Sequence, residues 1–372
     1  MRGRSPRSRR LLGALARVAS LLLALGAAGI ADAAEPTQQE LHFLYEVNRA
    51  RSDPAGWALE YGLNGLVGGD GNYVTLTGVA PRPPLALNTT LVDSARYKAQ
   101  ELASYDYFAH QSQIAPDYYW PNELARNVFG YPLAATVPAG GNSYYTIADN
   151  SNQIESLAAG YGGSATNYAL AINAVTGLIV DNGVPSLGHR IHLLATSAFT
   201  SAFVEAGPGY GYSADATYRN YWAFHTGVRA APQSWLTGVA YDDANGNALF
   251  DPGEGLEGVT IRSGGFSVTT GASGGYSLAV PDGTHTVTCS GGSFVGVSAT
   301  QVAIAGANAA VDCISGEPIA YVAFFVPEAD GGTAGLVAVT AIAMLRARRR
   351  ARTTTGTASP DASAPTARRP RR

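Results

Sequence analysis

The sequence predicts an α+β region followed by a small all-β sandwich. Near the start, a capping box introduces apolar residues at helical spacing. Two glycine- and aromatic-rich strand candidates come only after the helices, which argues against a βαβ repeat. From Leu236 on, short β-type runs recur at intervals of about ten residues with glycine between them.

The elements follow in order. Thr37-Gln38-Gln39-Glu40 starts a helix with Leu41, Leu44, Tyr45 and Asn48 on one face, running to about Arg51, where Asp53-Pro54 is expected to end it. A glycine-rich loop leads to Pro81-Arg82-Pro83-Pro84, and Asn88 or Thr90 caps a second helix. Its predicted core stripe is Val92, Ala95, Ala99 and Leu102, with Asp93, Arg96, Lys98 and Glu101 facing water. It ends around Ser104, just before Tyr107-Phe108-Ala109-His110. Asp117 to Asn152 reads as a long surface excursion. Order resumes at Ile154, and a helix spans Tyr168 to about Asp181, burying Leu170, Val175, Leu178 and Ile179. Strand candidates occupy Ala202–Tyr212 and Tyr218–Val228. The sandwich candidates include 258–261, 266–270, 275–278 and 285–289.

Charge is segregated along the chain. Of the 25 basic residues, 6 lie in 1–34 and 9 from Arg346 onward, leaving 10 against 26 acidic residues in between, a net of −16. So acidic a body excludes nucleic acid as a partner and suits divalent cations and an extracellular setting. Residues 1–34 carry an Arg-rich start, an apolar run and Ala31-Asp32-Ala33-Ala34, the pattern of a secretory signal peptide. Export permits Cys289 and Cys313 to form a disulfide. The apolar stretch Gly331–Leu345 is short for a membrane span and precedes an Arg cluster, and the composition of 351–372 predicts disorder.

The chemistry concentrates in two places. Asp181-Asn182-Gly183-Val184-Pro185-Ser186-Leu187-Gly188-His189-Arg190 presents His189 on a turn, with His110 and Glu155 as candidate partners. Two imidazoles and one or two carboxylates can hold zinc with a position open for water; alternatively, a carboxylate can orient a histidine and raise its basicity. His42, His192, His225 and His285 read as core or surface residues. The first region has no G-x-S-x-G elbow and no cysteine, so a covalent hydrolase lacks its nucleophile. In the second region, Asp243, Asn245, Asn247, the Leu249 carbonyl, Asp251 and Glu254 fall at the ligand spacing of an EF-hand-type calcium loop. Ala248 stands where that loop usually has glycine, and no helix pair flanks it.

Several blocks together resemble the CAP superfamily in its bacterial SCP-like form. They are Leu44–Arg51 (L-x-x-x-N-x-x-R), Pro84–Asn88, Phe108-Ala109-His110, Ile154–Gly160, Ser186–Arg190 and Val204–Gly209. The resemblance implies that 35–231 is an α-β-α sandwich with a cleft lined by two histidines and two acids. Those would be His110, His189, Glu155 and, where a glutamate is expected, Asp181; Ser156 replaces a usual Asn. Residues 236–314 resemble SdrD B-like or carboxypeptidase-regulatory-like β-domains, which implies a spacer. Residues 326–350 resemble a PEP-CTERM sorting segment. The implied protein is exported to the bacterial cell envelope or extracellular space, touching the membrane through its C-terminal segment before sorting machinery processes it. Its cleft binds an envelope or extracellular ligand or a divalent metal such as zinc, beside a calcium-stabilised module. A metal-dependent hydrolase with Glu155 as general base, or an adhesive matrix protein, are the alternatives.

Overall fold

A computed structural model describes residues 34–116, 118–162 and 167–324. The expected signal peptide, sorting segment and tail lie outside the described residues, apart from Ala34 at the boundary of the first. Among the described residues, no helix is long and apolar enough to cross a membrane.

The first helix, α1 (Gln38–Ser52), has the reciprocal capping box: Glu40 N donates to Thr37 Oγ1 at 3.2 Å and Thr37 N to Glu40 Oε2 at 2.8 Å. Asp53-Pro54 ends it and also begins a helix missing from the sequence reading. Asp53 caps α2 (Pro54–Glu60) through Gly56 N at 2.9 Å, with Pro54 in the first turn where its missing N–H costs nothing. After the short β1 (Ala86–Leu87), Asn88 caps α3 (Thr89–Tyr105) by accepting from Leu91 N at 3.0 Å. The excursion is more ordered than expected. It holds the hairpin β2 (Thr136–Gly140) and β3 (Ser143–Thr146), buries Tyr131, Leu133, Val137 and Ile147, and is pinned by Asn122 and Arg126. Then follow β4 (Glu155–Gly160), α4 (Ala171–Val180), α5 (Gly188–Leu194), β5 (Glu205–Tyr212) and β6 (Asn220–Gly227).

Strands pair in the order β1-β5-β6-β4, parallel between β1 and β5 and antiparallel elsewhere. α3 covers one face of this sheet. A Cβ on Gly207, Gly209 or Gly211 would lie 2.0 to 2.1 Å from the α3 backbone, so the alternate glycines of β5 are what lets the helix rest directly on the strand. The opposite face packs on α1, α4 and α5, with Phe43 stacked 5.4 Å from Trp222 and 5.1 Å from Phe224. This is an α+β arrangement with helices on both faces of one sheet. The expected stripe of α3 is fully buried, but Lys98 and Glu101, expected in water, are buried too, because residues 107–112 fold back over them.

The second region is all-β: β7 (Ser234–Tyr241), β8 (Thr260–Ser263), β9 (Phe266–Thr269), β10 (Gly275–Val280), β11 (Gly283–Ser290), β12 (Val297–Ile304), β13 (Ala309–Ile314) and β14 (Tyr321–Phe324). They form two four-stranded sheets, β10-β7-β13-β14 and β12-β11-β8-β9. Cys289 on β11 and Cys313 on β13 form a disulfide joining the two sheets, Cα atoms 6.3 Å apart. Alternation along β7 and β13 turns Leu236, Ala240, Val311 and Cys313 into the sandwich and Val239, Tyr241 and Ile314 out of it. Those outward residues pack on Leu41 and Tyr45 of α1, joined by Ala248 and Phe250 from the 243–254 loop.

The glycine row carries a prediction. Gly209→Ala sets a methyl against the backbone at Arg96 and is expected to lower stability by about 3 kcal/mol in chemical denaturation, far beyond a surface substitution.

Candidate functional site

The structure gathers the sequence-predicted residues into two carboxylate–imidazole pairs. In the first, His110 Nδ1 lies 2.8 Å from Glu155 Oε1. In the second, His189 Nδ1 lies 2.6 Å from Asp181 Oδ1. Both carboxylates are buried while the imidazoles stay open, their side chains 36% and 26% exposed. Because each ring is held through Nδ1, its Nε2 is the nitrogen left for a ligand.

Each pair has a local explanation. Asp181 ends α4 in the left-handed conformation (φ 56°), which Asp tolerates better than most residues. That turn aims its carboxylate at the start of α5, where Oδ2 accepts from the backbone N–H of His189 at 2.9 Å and of Arg190 at 3.3 Å. One carboxylate thus caps the helix and orients its histidine. Arg190 turns back and donates to the carbonyls of Ile179 (2.6 Å) and Val180 (3.0 Å), closing the C-terminal end of α4. His189 therefore sits in the first turn of a short helix and not on an open loop.

His110 is placed by a buried network beneath it. Tyr107 OH donates to Glu101 Oε2 at 2.5 Å, Ser112 Oγ donates to Glu101 Oε1, and Lys98 Nζ donates to Tyr107 OH at 2.8 Å. Glu101 so fastens the His110 loop on both sides. Burial lowers the Lys98 pKa, against the pull of Glu155 and Glu101.

Glu155 has a second partner that sequence reasoning missed. On β6, His225 stands directly across from it, and His225 Nε2 lies 2.8 Å from Glu155 Oε2. His225 Nδ1 is in turn 3.0 Å from Ser94 Oγ on α3. The result is a chain from Ser94 through His225 and Glu155 to His110, running from the core to the surface. Burial alone would raise the Glu155 pKa, but the hydrogen bonds from His110 and His225 outweigh it and hold the group at about 2. Only the strand register reveals His225; nothing in its spacing marks it.

The other face of the same strands carries a separate set. Ser156 Oγ is 2.7 Å from His192 Nδ1, and His192 Nε2 is 2.7 Å from Thr226 Oγ1. Burial, reinforced by the charges of His189, Arg51, His225 and His110, pushes His192 down to about 3, so it is neutral at physiological pH. The remaining blocks are structural: Asn48 pairs with both backbone groups of Leu85, and Arg51 donates to the carbonyls of Pro83 and Leu193.

In the 243–254 loop, Glu254 Oε1 accepts from Ala244 N at 3.0 Å and Oε2 from Asp251 N at 3.0 Å. Asp251 Oδ2 receives the amides of Asn245 and Asn247, each at 2.7 Å, while Asp243 Oδ2 caps Ala248 N at 3.1 Å. Leu249 N donates to Asn247 Oδ1 at 2.7 Å. Burial raises the Glu254 pKa, and the neighbouring charges of Asp251 and Asp243 add to the rise. Ala248 does adopt the left-handed turn that glycine would make freely (φ 61°), with its methyl buried against α1. Among the described residues, no three His, Cys, Asp or Glu side chains are gathered closely enough to hold a metal ion by themselves.

No family model matches this chain, and neither curated proteins nor solved structures give a match.

The Glu155 relay predicts an acid dependence. Held at about 2 against an ordinary 4.5, this carboxylate adds stability that is present above pH 4.5 and lost as pH falls toward 2, roughly 3 kcal/mol in full. Thermal melts of Glu155→Gln across that window are expected to show a shallower acid loss than the parent.

Proposed function

We propose that the chain is an exported CAP-type protein of the bacterial cell envelope or extracellular space. Its cleft, made by His110, Glu155, Asp181 and His189, binds a small ligand or a divalent metal, and the sandwich serves as a calcium-stabilised spacer. The observation that carries this reading is the matched construction of the two pairs. Each is a buried carboxylate holding a half-open imidazole through Nδ1, one arriving from the α3 face of the sheet and the other from the α4–α5 face.

Binding is favoured over hydrolysis by the state of Glu155. Both of its oxygens are engaged by imidazoles, and a carboxyl held at about 2 is a poor proton acceptor near neutrality. For zinc, two imidazole nitrogens make half of a tetrahedral set, so water or the bound ligand supplies the rest. In the sandwich, Glu254 feels the negative charges of Asp251 and Asp243, which a calcium ion would offset once the loop closed around it, with Asn245, Asn247 and the Leu249 carbonyl as further oxygen donors.

Two measurements test the reading. Titration calorimetry with zinc on the full chain is expected to show one site that His110→Ala and His189→Ala each weaken at least tenfold, with no peptide hydrolysis by any form. Zinc binding unchanged in both variants removes the metal from the cleft, and peptide turnover that depends on Glu155 restores the hydrolase. Separately, calcium at about 100 times its Kd is expected to raise stability by roughly 2.7 kcal/mol. Glu254→Gln is expected to abolish that gain; a melting temperature indifferent to calcium leaves the loop as a simple turn.

A further inference from the structure

The outer face of the β10-β7-β13-β14 sheet is covered by α1, and within that otherwise apolar contact lies a carboxylate. Asp312 sits on β13 between Val311 and Cys313, which face the sandwich interior, so its side chain points outward beneath α1. It is buried, and its Oδ1 accepts a single hydrogen bond that the structure gives, from Val239 N at 3.0 Å. Gly238 makes the contact possible, since a Cβ there would lie 2.1 Å from Val311 O and 3.0 Å from Asp312 Oδ1. Beside the carboxylate is a cavity of about 20 Å³ lined by Leu41, Leu44, Tyr45, Asn48 and Thr237, room for roughly one water molecule.

No salt bridge reaches Asp312 among the described residues. The groups on its side of the sheet are Tyr45 and Arg49 on α1 and Tyr241 on β7, with Tyr321 opposite it in register on β14, while Tyr276 on β10 lies on the sandwich side and donates to the Val311 carbonyl. Arg49 is the one cation among them, and its guanidinium is committed to Glu46 at 2.9 Å and Glu60 at 2.7 Å. Ionised Asp312 thus has one backbone amide to answer a full buried charge, and separating α1 from the sheet would return it to water.

We propose that Asp312 is a proton-controlled latch between the helical region and the sandwich: the neutral acid lets α1 stay seated on the sheet, and ionisation loosens that seat. Burial raises this group to about 7 from an ordinary 3.8. A raised acid favours the seated state fully below 3.8, and that advantage falls up to about tenfold per pH unit as the pH rises to about 7, then levels off.

Hydrogen exchange on the full chain, corrected for the intrinsic pH dependence, reads the latch at Val239 N–H and along α1. Protection there is expected to fall steadily between about pH 5 and pH 7 and flatten above, while core amides of β11 hold steady. Asp312→Asn, which keeps the hydrogen-bond acceptor without the charge, is expected to remove that dependence. Parallel pH profiles in parent and variant overturn the latch. If the variant does not fold, infrared spectroscopy of the parent decides: the band of a buried protonated carboxyl, expected to fade as the pH rises through about 7, overturns the latch if it is absent at pH 6.

Discussion

The close approach of α3 to β5 is the constraint on which the rest of the first region depends. Three alternate glycines remove the side chains that would otherwise hold the helix away from the strand. With the helix lowered onto the sheet, Ser94 reaches His225, His225 reaches Glu155, and Glu155 reaches His110. The same helix supplies Glu101, which fastens the loop carrying that histidine. Site and scaffold are therefore one piece of packing; a small shift in helix height would pass directly into the position of the exposed imidazole.

Much of this was legible in the residues. The capping box at Thr37, the Asn88 cap and the α3 core stripe all express local rules, and local rules can be read from a string. The four candidates His110, Glu155, Asp181 and His189 do form hydrogen-bonded pairs; the Asp181–His189 pair follows from local turn chemistry around Asp181 and Gly183, whereas the His110–Glu155 pair joins residues 45 apart in sequence. What escaped depended on register and on folding back. His225 lies across from Glu155 only once β4 and β6 are aligned, and Lys98 and Glu101 look solvated until residues 107–112 cover them. The α2 helix escaped for a different reason: Asp53-Pro54 is both an ending and a beginning, and the pair reads equally well either way.

The two regions meet through a surface that neither could leave bare. Leu41 and Tyr45 on α1, Val239, Tyr241 and Ile314 on the sheet, and Phe250 from the acidic loop form one apolar cluster. Tyr45 and Phe250 meet edge to face at 5.6 Å, and Tyr45 OH lies 3.3 Å from the Phe250 amide. The loop read as a calcium site is thus also a wedge against the first helix, so its conformation and the seating of α1 are mechanically joined. The sandwich is therefore a packing partner of the first region.

The Ser94–His225–Glu155–His110 chain also bears on how the protein acquires its site. Its three contacts span 131, 70 and 45 residues of sequence. Each of these contacts closes a large loop, so its formation carries a loop-closure entropy cost that local contacts do not. Until β6 takes its place in the middle of the sheet, Glu155 lacks its buried imidazole partner, whereas the Asp181–His189 pair, eight residues apart, closes locally. The buried Ser94–His225–Glu155 part of the site therefore requires α3, β4 and β6 to be in place together.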